Sequence, residues 1–244
     1  MTLPAYRVGL FAAVLASTGC SIDIGDRHAS RTGETVHDTK IIERTKAVKA
    51  EMVVAELTIG AGELNLSGGA KELFDGEFTY NVPSWKPEVR YDDSGFRGRL
   101  TVRQSGSKGN FGDIKNIWDL KLANDIPLDL RIHCGAGENK LDLHELTLRN
   151  VEVQLGAGSV DMDLRGKPLK DYEVRIEGGV GEATVHLPTD VGVVAEAHGG
   201  IGSINVRGLK KDGDRWVSES NGSPRATIRL SVKGGIGEIN IIAE

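Results

Sequence analysis

The chain is short of aromatics, cysteine, surplus positive charge and long apolar runs, and each shortage closes off a class of protein. Aromatic residues make up 5 % of 244, too few to suggest a platform for stacking sugars. Thirty Lys and Arg face thirty-five Asp and Glu, for a net charge of −5 with both signs interspersed. No basic patch can track a phosphate backbone, so nucleic acid is not expected as a partner. The two cysteines, Cys20 and Cys134, do not form the framework of a disulfide-stapled domain. No Cys or carboxylate group shows zinc spacing, and no Gly-x-x-x-x-Gly-Lys-Ser/Thr occurs. Neither metal nor other cofactor is therefore expected. Glycine, by contrast, is abundant at 32 residues and sits among many Val, Ile and Leu. That mixture predicts an all-β chain of numerous strands and tight bends.

The longest N-terminal apolar run, Val8 to Ala16 after Arg7, is too short to span a bilayer and fits the core of a secretory signal. The following "ASTGC" resembles the bacterial lipobox, although Ser17 stands where Leu is usual. The resemblance implies a lipoprotein signal peptide over 1–19 and lipid attachment at Cys20. The alternative is an ordinary cleaved signal with Cys20 incidental. Several acyl chains on one cysteine hold a protein at a membrane where a single chain is marginal. Ser21 is not the Asp that favours inner-membrane retention in such proteins. The expected home is the cell envelope: an outer membrane, facing the periplasm, if the cell has one, and otherwise the outer face of the cytoplasmic membrane. Residues 20–50 are polar with no sustained period and read as a flexible tether.

Beyond residue 51 the chain repeats itself. "AELTIGAGELNL" (55–66), "LRIHCGAGENKL" (130–141), "VEVQLGAGSVDM" (151–162), "VRIEGGVGEATV" (174–185), "AEAHGGIGSINV" (195–206) and "LSVKGGIGEINI" (230–241) align without gaps. Apolar residues alternate into a Gly-x-Gly and out of it again, the period of a strand with one buried face. The paired glycines are Gly60 and Gly62, Gly135 and Gly137, Gly156 and Gly158, Gly179 and Gly181, Gly200 and Gly202, and Gly235 and Gly237. Six rungs that each leave an apolar stripe unburied predict a β-solenoid, parallel β-helix-like, forming a single domain over 51–244. A strand-rich excursion interrupts it at 67–127, where "EFTYNVP", "PEVRYDD", "RLTVRQSG" and "NIWDLKL" read as strands, and a loop at 210–223 lengthens the last part. Trp216 in that loop is either a contact residue or a lid over the core.

The rungs also vary together. Ile59, Cys134 and Leu155 precede the first three glycine pairs, with Ala between the glycines; Gly178, Gly199 and Gly234 precede the last three, with Val180, Ile201 and Ile236 between. The exchange suggests one core corner filled at constant volume, with Cys134 a buried hydrophobe rather than a reactive thiol. Outward positions suggest stacking in chain order. Arg131, Glu152, Arg175 and Glu196 alternate in sign, while Glu138, Ser159, Glu182, Ser203 and Glu238 keep carboxylates apart. The last rung then lies exposed at the end, open to self-association or to a partner adding a strand.

The "GAG/GGVG/GGIG" rungs closing on "SVKGGIGEINI", with "FTYNVPSWKPEVRYD" and "GRLTVRQ" upstream, resemble the toast-rack family over roughly 51–242. Its relatives include the C-terminal domain of LiaF-like cell-wall-active-antibiotic response proteins. The resemblance implies a bacterial envelope β-solenoid and brings no catalytic residues.

The polar residues offer few constellations for chemistry. His133 and His198 share a column three rungs apart, about 14 Å in a stack, too far to share an ion. His144 and His186 follow the glycines of different rungs. Asp142, Asp161 and Asp163 point outward, and paired carboxylates could serve a glycosidase. Lys140 beside Asp161 makes an ion pair the simpler account, and no enzyme is expected. The expectation is a non-enzymatic, lipid-anchored binding or scaffold module whose partner is a protein or envelope glycan. The alternatives are a regulatory partner of a membrane stress-sensing system and, more remotely, a polysaccharide-active enzyme.

Overall fold

The computed structural model describes residues 32–47, 50–93, 95–106, 113–219 and 224–244. Cys20 and the signal-like segment lie outside these. Thirteen strands build one sheet: β1 (Val36–Ile42), β2 (Met52–Ser67), β3 (Phe74–Tyr80), β4 (Pro87–Asp92), β5 (Arg97–Gln104), β6 (Asn116–Leu122) and β7 (Leu128–Asp142) come first. They are followed by β8 (Leu148–Asp163), β9 (Tyr172–Leu187), β10 (Gly192–Arg207), β11 (Lys210–Asp212), β12 (Arg215–Val217) and β13 (Thr227–Ala243). The only helical segments among the described residues are two short turns, Arg44–Ala47 and Pro83–Trp85.

The six long strands β2, β7, β8, β9, β10 and β13 carry the Gly-x-Gly rungs and run parallel to one another. Each strand folds at its glycines. Cys134 and Leu141, for example, lie an odd number of residues apart, which on a flat strand would place them on opposite faces. Both are buried in one core cluster. The sheet is therefore creased along the glycine columns, and its two limbs enclose a single apolar core. This is the β-solenoid-like arrangement expected from the repeats.

The glycines follow from how closely the rungs stack. Gly181 has φ +141°, and a Cβ there would overlap the carbonyl oxygen of Gly158 on the neighbouring strand. The second glycine of every rung shares this conformation, from Gly62 through Gly137, Gly158, Gly181 and Gly237 to Gly202. The first glycines from Gly135 onward meet the carbonyl of the adjacent rung in the same way, whereas Gly60 faces the side chain of Gln104.

Several features differ from the sequence expectations. The strand order is β2-β7-β8-β9-β13-β10, so the last rung in the chain is interior and β10 stands at the end. With β13 inserted, Ser231 separates Arg175 from Glu196, although Glu56, Arg131, Glu152 and Arg175 still alternate. The insertion also puts Glu238 beside Glu182, and Glu63 lies beside Glu138, so the carboxylate column does contain like-charged neighbours. Asparagine amides offset the first of these contacts: Asn205 donates to Glu238 (2.6 Å) and Asn240 to Glu182 (3.1 Å).

The excursion does not leave the sheet. β5 continues the first limb of β2 and β6 its second limb, both parallel, with β4 beyond β5, and β3 then β1 beyond β6. Strand β1 falls within 20–50, read above as a tether, so the folded part begins before residue 51. β1 has no clean apolar alternation and is held by seven backbone pairings to β3.

The core corner is also filled differently. Ile59, Cys134 and Leu155 are buried, but Val180, Ile236 and Ile201 are 52, 51 and 71 % exposed. They are not enclosed in the core. Where Gly234 and Gly199 leave room, the side chains of Ile239 and Ile204 reach in from the second limb, with Cδ1 3.4 and 3.6 Å from where a Cβ would stand at each site. At Gly178 the facing residue is only Ala183, and a Cβ on Gly178 would meet nothing within 4 Å. Volume is therefore not conserved in that rung.

Candidate functional site

Three places could carry function: the corner pocket at Gly178, a polar cluster where the strands leave the sheet, and the open end at β10. The corner pocket, lined by Leu155, Val160, Ile176, Gly178 and Ala183 among others, has a free volume of about 30 Å³. That is room for a water or two, far below the few hundred Å³ of a ligand site. It is a packing defect.

The polar cluster joins the exits of β7, β8, β9 and β13. Asp142, His144 and Asp163 bring ligand-type atoms within 4.8 Å of one another, which sequence spacing did not reveal. Their bonds are already committed. The ring Nδ1 of His144 is hydrogen-bonded to Asp142, and this raises the imidazole above its ordinary value, against a smaller opposing effect of desolvation. Asp163 is held from two sides by Arg165, whose Nε and Nη2 lie 3.0 and 2.7 Å from its oxygens. That bonding keeps the carboxyl below its usual range. Arg165 also reaches Glu244 (2.6 Å), which His186 contacts at 3.2 Å, while Asp161 is 3.7 Å from His186. A guanidinium facing the carboxylate does what a cation would do there. The cluster is a charge network tying strand ends together.

The remaining polar candidates are dispersed. Lys140 stands opposite Asp161 in register, but Asp161 turns to His186 instead. His133 and His198 share a column four strands apart, one more than chain order implied, or about 19 Å. The Cys134 thiol is buried, and desolvation pushes it up.

The two ends of the creased sheet differ sharply. At the β2 end the limbs are continued by β5 and β6, which leaves the crease between them uncovered by any strand. Two buried side chains close it. Gln104 Oε1 accepts from the amide of Gly60 (2.9 Å), and Asn116 Nδ2 donates to the carbonyl of Ala61 (2.6 Å) and to Gln104 (3.1 Å). Trp118 Nε1 donates to Asn116 Oδ1 (3.0 Å) and fixes its orientation. Sequence reading missed this cap because one polar residue at each strand end gives no periodic signal.

At the β10 end no such cap is present among the described residues. The β11–β12 hairpin pairs with β10 only at Val194 and Ala195, where Trp216 packs half-buried against the core as a partial lid. Past it, Val180, Ile236 and Ile201 align on adjacent strands as an exposed apolar row. Contiguous exposed apolar surface on an otherwise polar body marks an interaction site more often than chance. Among the described residues, no helix is long and apolar enough to cross a membrane.

Comparison with known proteins agrees with this architecture. The family described as the N-terminal domain of toast_rack matches residues 31–186. A crystal structure of a candidate cell adhesion protein from Clostridium sporogenes superposes with a TM-score of 0.82 at 34 % identity, covering 86 % of this chain and 100 % of that one. A candidate adhesin from Bacteroides fragilis reaches a TM-score of 0.37 at 12 % identity, over 86 % of this chain and 99 % of that one. No curated protein matches the chain.

Proposed function

Because the chain belongs to the toast_rack family, we propose that it is a non-enzymatic, lipid-anchored envelope protein that presents a rigid creased sheet as a binding module. The observation that carries this reading is the exposed Val180–Ile236–Ile201 row. It stands on strands whose backbone is fixed by pairing on both sides or by a packed core, so the surface is preorganised for a macromolecular partner. The description of the Clostridium sporogenes relative as a candidate adhesion protein points the same way. The self-satisfied charge network at the strand exits favours structure over catalysis.

Anchoring rests on Arg7, the apolar run Val8–Ala16 and Cys20 in "ASTGC". Acylation there places the body at the outer membrane, facing the periplasm, or on the outer face of the cytoplasmic membrane in a cell with a single membrane. The partner is an envelope protein or glycan.

Radiolabelled palmitate incorporation into the full chain and into Cys20→Ala tests the anchor, with label expected only in the former. Capture from envelope extracts with full-length wild type and Ile201→Lys tests the module. Glycan or envelope protein held by wild type and lost by the variant supports it. A single stoichiometric membrane kinase or transporter turns the reading to regulation, and capture unchanged by the substitution contradicts the surface.

A further inference from the structure

The outer edge of β10 differs from the other free edges of the sheet. β1 carries Asp38 and Lys40, β4 opens at Pro87 and carries Glu88 and Arg90, and β11 is the three residues Lys210–Asp212. Short length, charge and proline are the usual means of keeping an edge from pairing. From Glu196 to Arg207, β10 offers twelve residues with no proline or lysine, and among the described residues nothing pairs with them on the outer side.

The backbone of this edge is arranged to pair. On the first limb Val193, whose side chain faces the core, exchanges bonds outward with Ser218 (2.9 and 3.1 Å). On the second limb of β8, the inward-facing Leu164 likewise donates to the next strand in the order, at His186 O (2.9 Å). The same alternation in β10 turns the amides and carbonyls of Ala197, Ile204 and Val206 toward open solvent.

We propose that this edge pairs antiparallel with the same edge of a second copy, about a two-fold axis through the crease of β10. A creased sheet is mapped onto itself by such an axis, which exchanges the two limbs, so the contact is isologous and closed. Ala197 hydrogen-bonds with Val206 of the second copy and Gly199 with Ile204. The closer, non-hydrogen-bonded pairs are then Glu196 with Arg207 and His198 with Asn205. Both core stripes face inward and run on continuously from one copy to the other.

Register is restricted on each side. A shift of one residue would turn every apolar side chain outward. A shift of two in one direction drives Arg207 of the second copy onto Val194, where β12 already sits. In the other direction it sets Arg207 against His198 and parts it from Glu196. Arg207 has no carboxylate partner among the described residues, and Glu196 has only a long contact to Arg215 (3.9 Å). The ion pair therefore favours one register and occurs twice by symmetry.

The test uses the full chain in detergent, by sedimentation equilibrium from low micromolar to several hundred micromolar, and Cys20→Ala alongside it. Both are expected to form dimers equally, since the edge does not depend on the anchor. Arg207→Glu is expected to weaken association about tenfold or more, and adding Glu196→Arg to restore it to within about threefold. His198→Cys combined with Asn205→Cys should give an oxidised covalent dimer that neither single variant gives. A chain monomeric at the highest concentration overturns the proposal. So does a dimer indifferent to Arg207→Glu, or one that no cysteine pair captures.

Discussion

Gln104 Oε1 lies 2.9 Å from the amide nitrogen of Gly60, where the crease of the sheet ends and no strand is left to accept that hydrogen. A side chain from β5 thus replaces a missing rung. Gln104→Leu keeps the volume and adds apolar surface, yet it orphans the Gly60 amide and one Asn116 contact. The expected cost is about 1–3 kcal/mol, the penalty of leaving buried polar groups unpaired. Denaturant unfolding at unchanged m-value measures it; equal or greater stability would show that the cap is dispensable.

Two glycines in β9, three residues apart, should respond with opposite signs. Gly178→Ala places a methyl into the space beside Ala183 at ordinary backbone angles, and is expected to stabilise by about 0.4–1 kcal/mol. Gly181→Ala puts a Cβ onto the carbonyl of Gly158 at φ +141°, and belongs with the most severe substitutions, beyond about 3 kcal/mol. Thermal unfolding of the two variants beside wild type separates them; a common sign would refute the account of the crease.

His144 should make stability pH-dependent in one direction. Its bond to Asp142 raises the imidazole above the ordinary 6.5, so the folded state favours the protonated ring. The contribution is complete below pH 6.5 and fades as pH rises through the raised value. The side chain is 43 % exposed, and solvent screening limits the effect to roughly 0.5 kcal/mol. Wild type should therefore exceed His144→Gln in Tm on the acid side and match it in alkali. Asp163 runs the opposite way: its carboxyl is depressed by Arg165, and its contribution is lost as pH falls below the ordinary 3.8.

The rungs were legible because alternation into and out of Gly-x-Gly recurs six times, and each copy needs the same crease. Their spatial order was not. Lys233–Gly234–Gly235 and His198–Gly199–Gly200 carry the same rung pattern, so the pattern does not tell which of β13 and β10 pairs with β9. Val180, Ile201 and Ile236 were assigned to the core because two-residue periodicity carries no record of where a strand folds. Strand β1 escaped notice because "VHDTKII" is an edge held by its backbone, and charges that protect an edge erase the apolar signal. The Asp142–His144–Asp163 cluster arises from two strand exits brought together only by stacking.

A creased sheet closed by Gln104 and Asn116 at one end and open along β10 at the other is most directly tested by amide hydrogen exchange of the full chain at several concentrations. Slow exchange is expected at Gly60 throughout. The amides of Ala197, Ile204 and Val206 should exchange fast when dilute and become protected as the chain is concentrated. Protection of those three at every dilution, or at none, would contradict it.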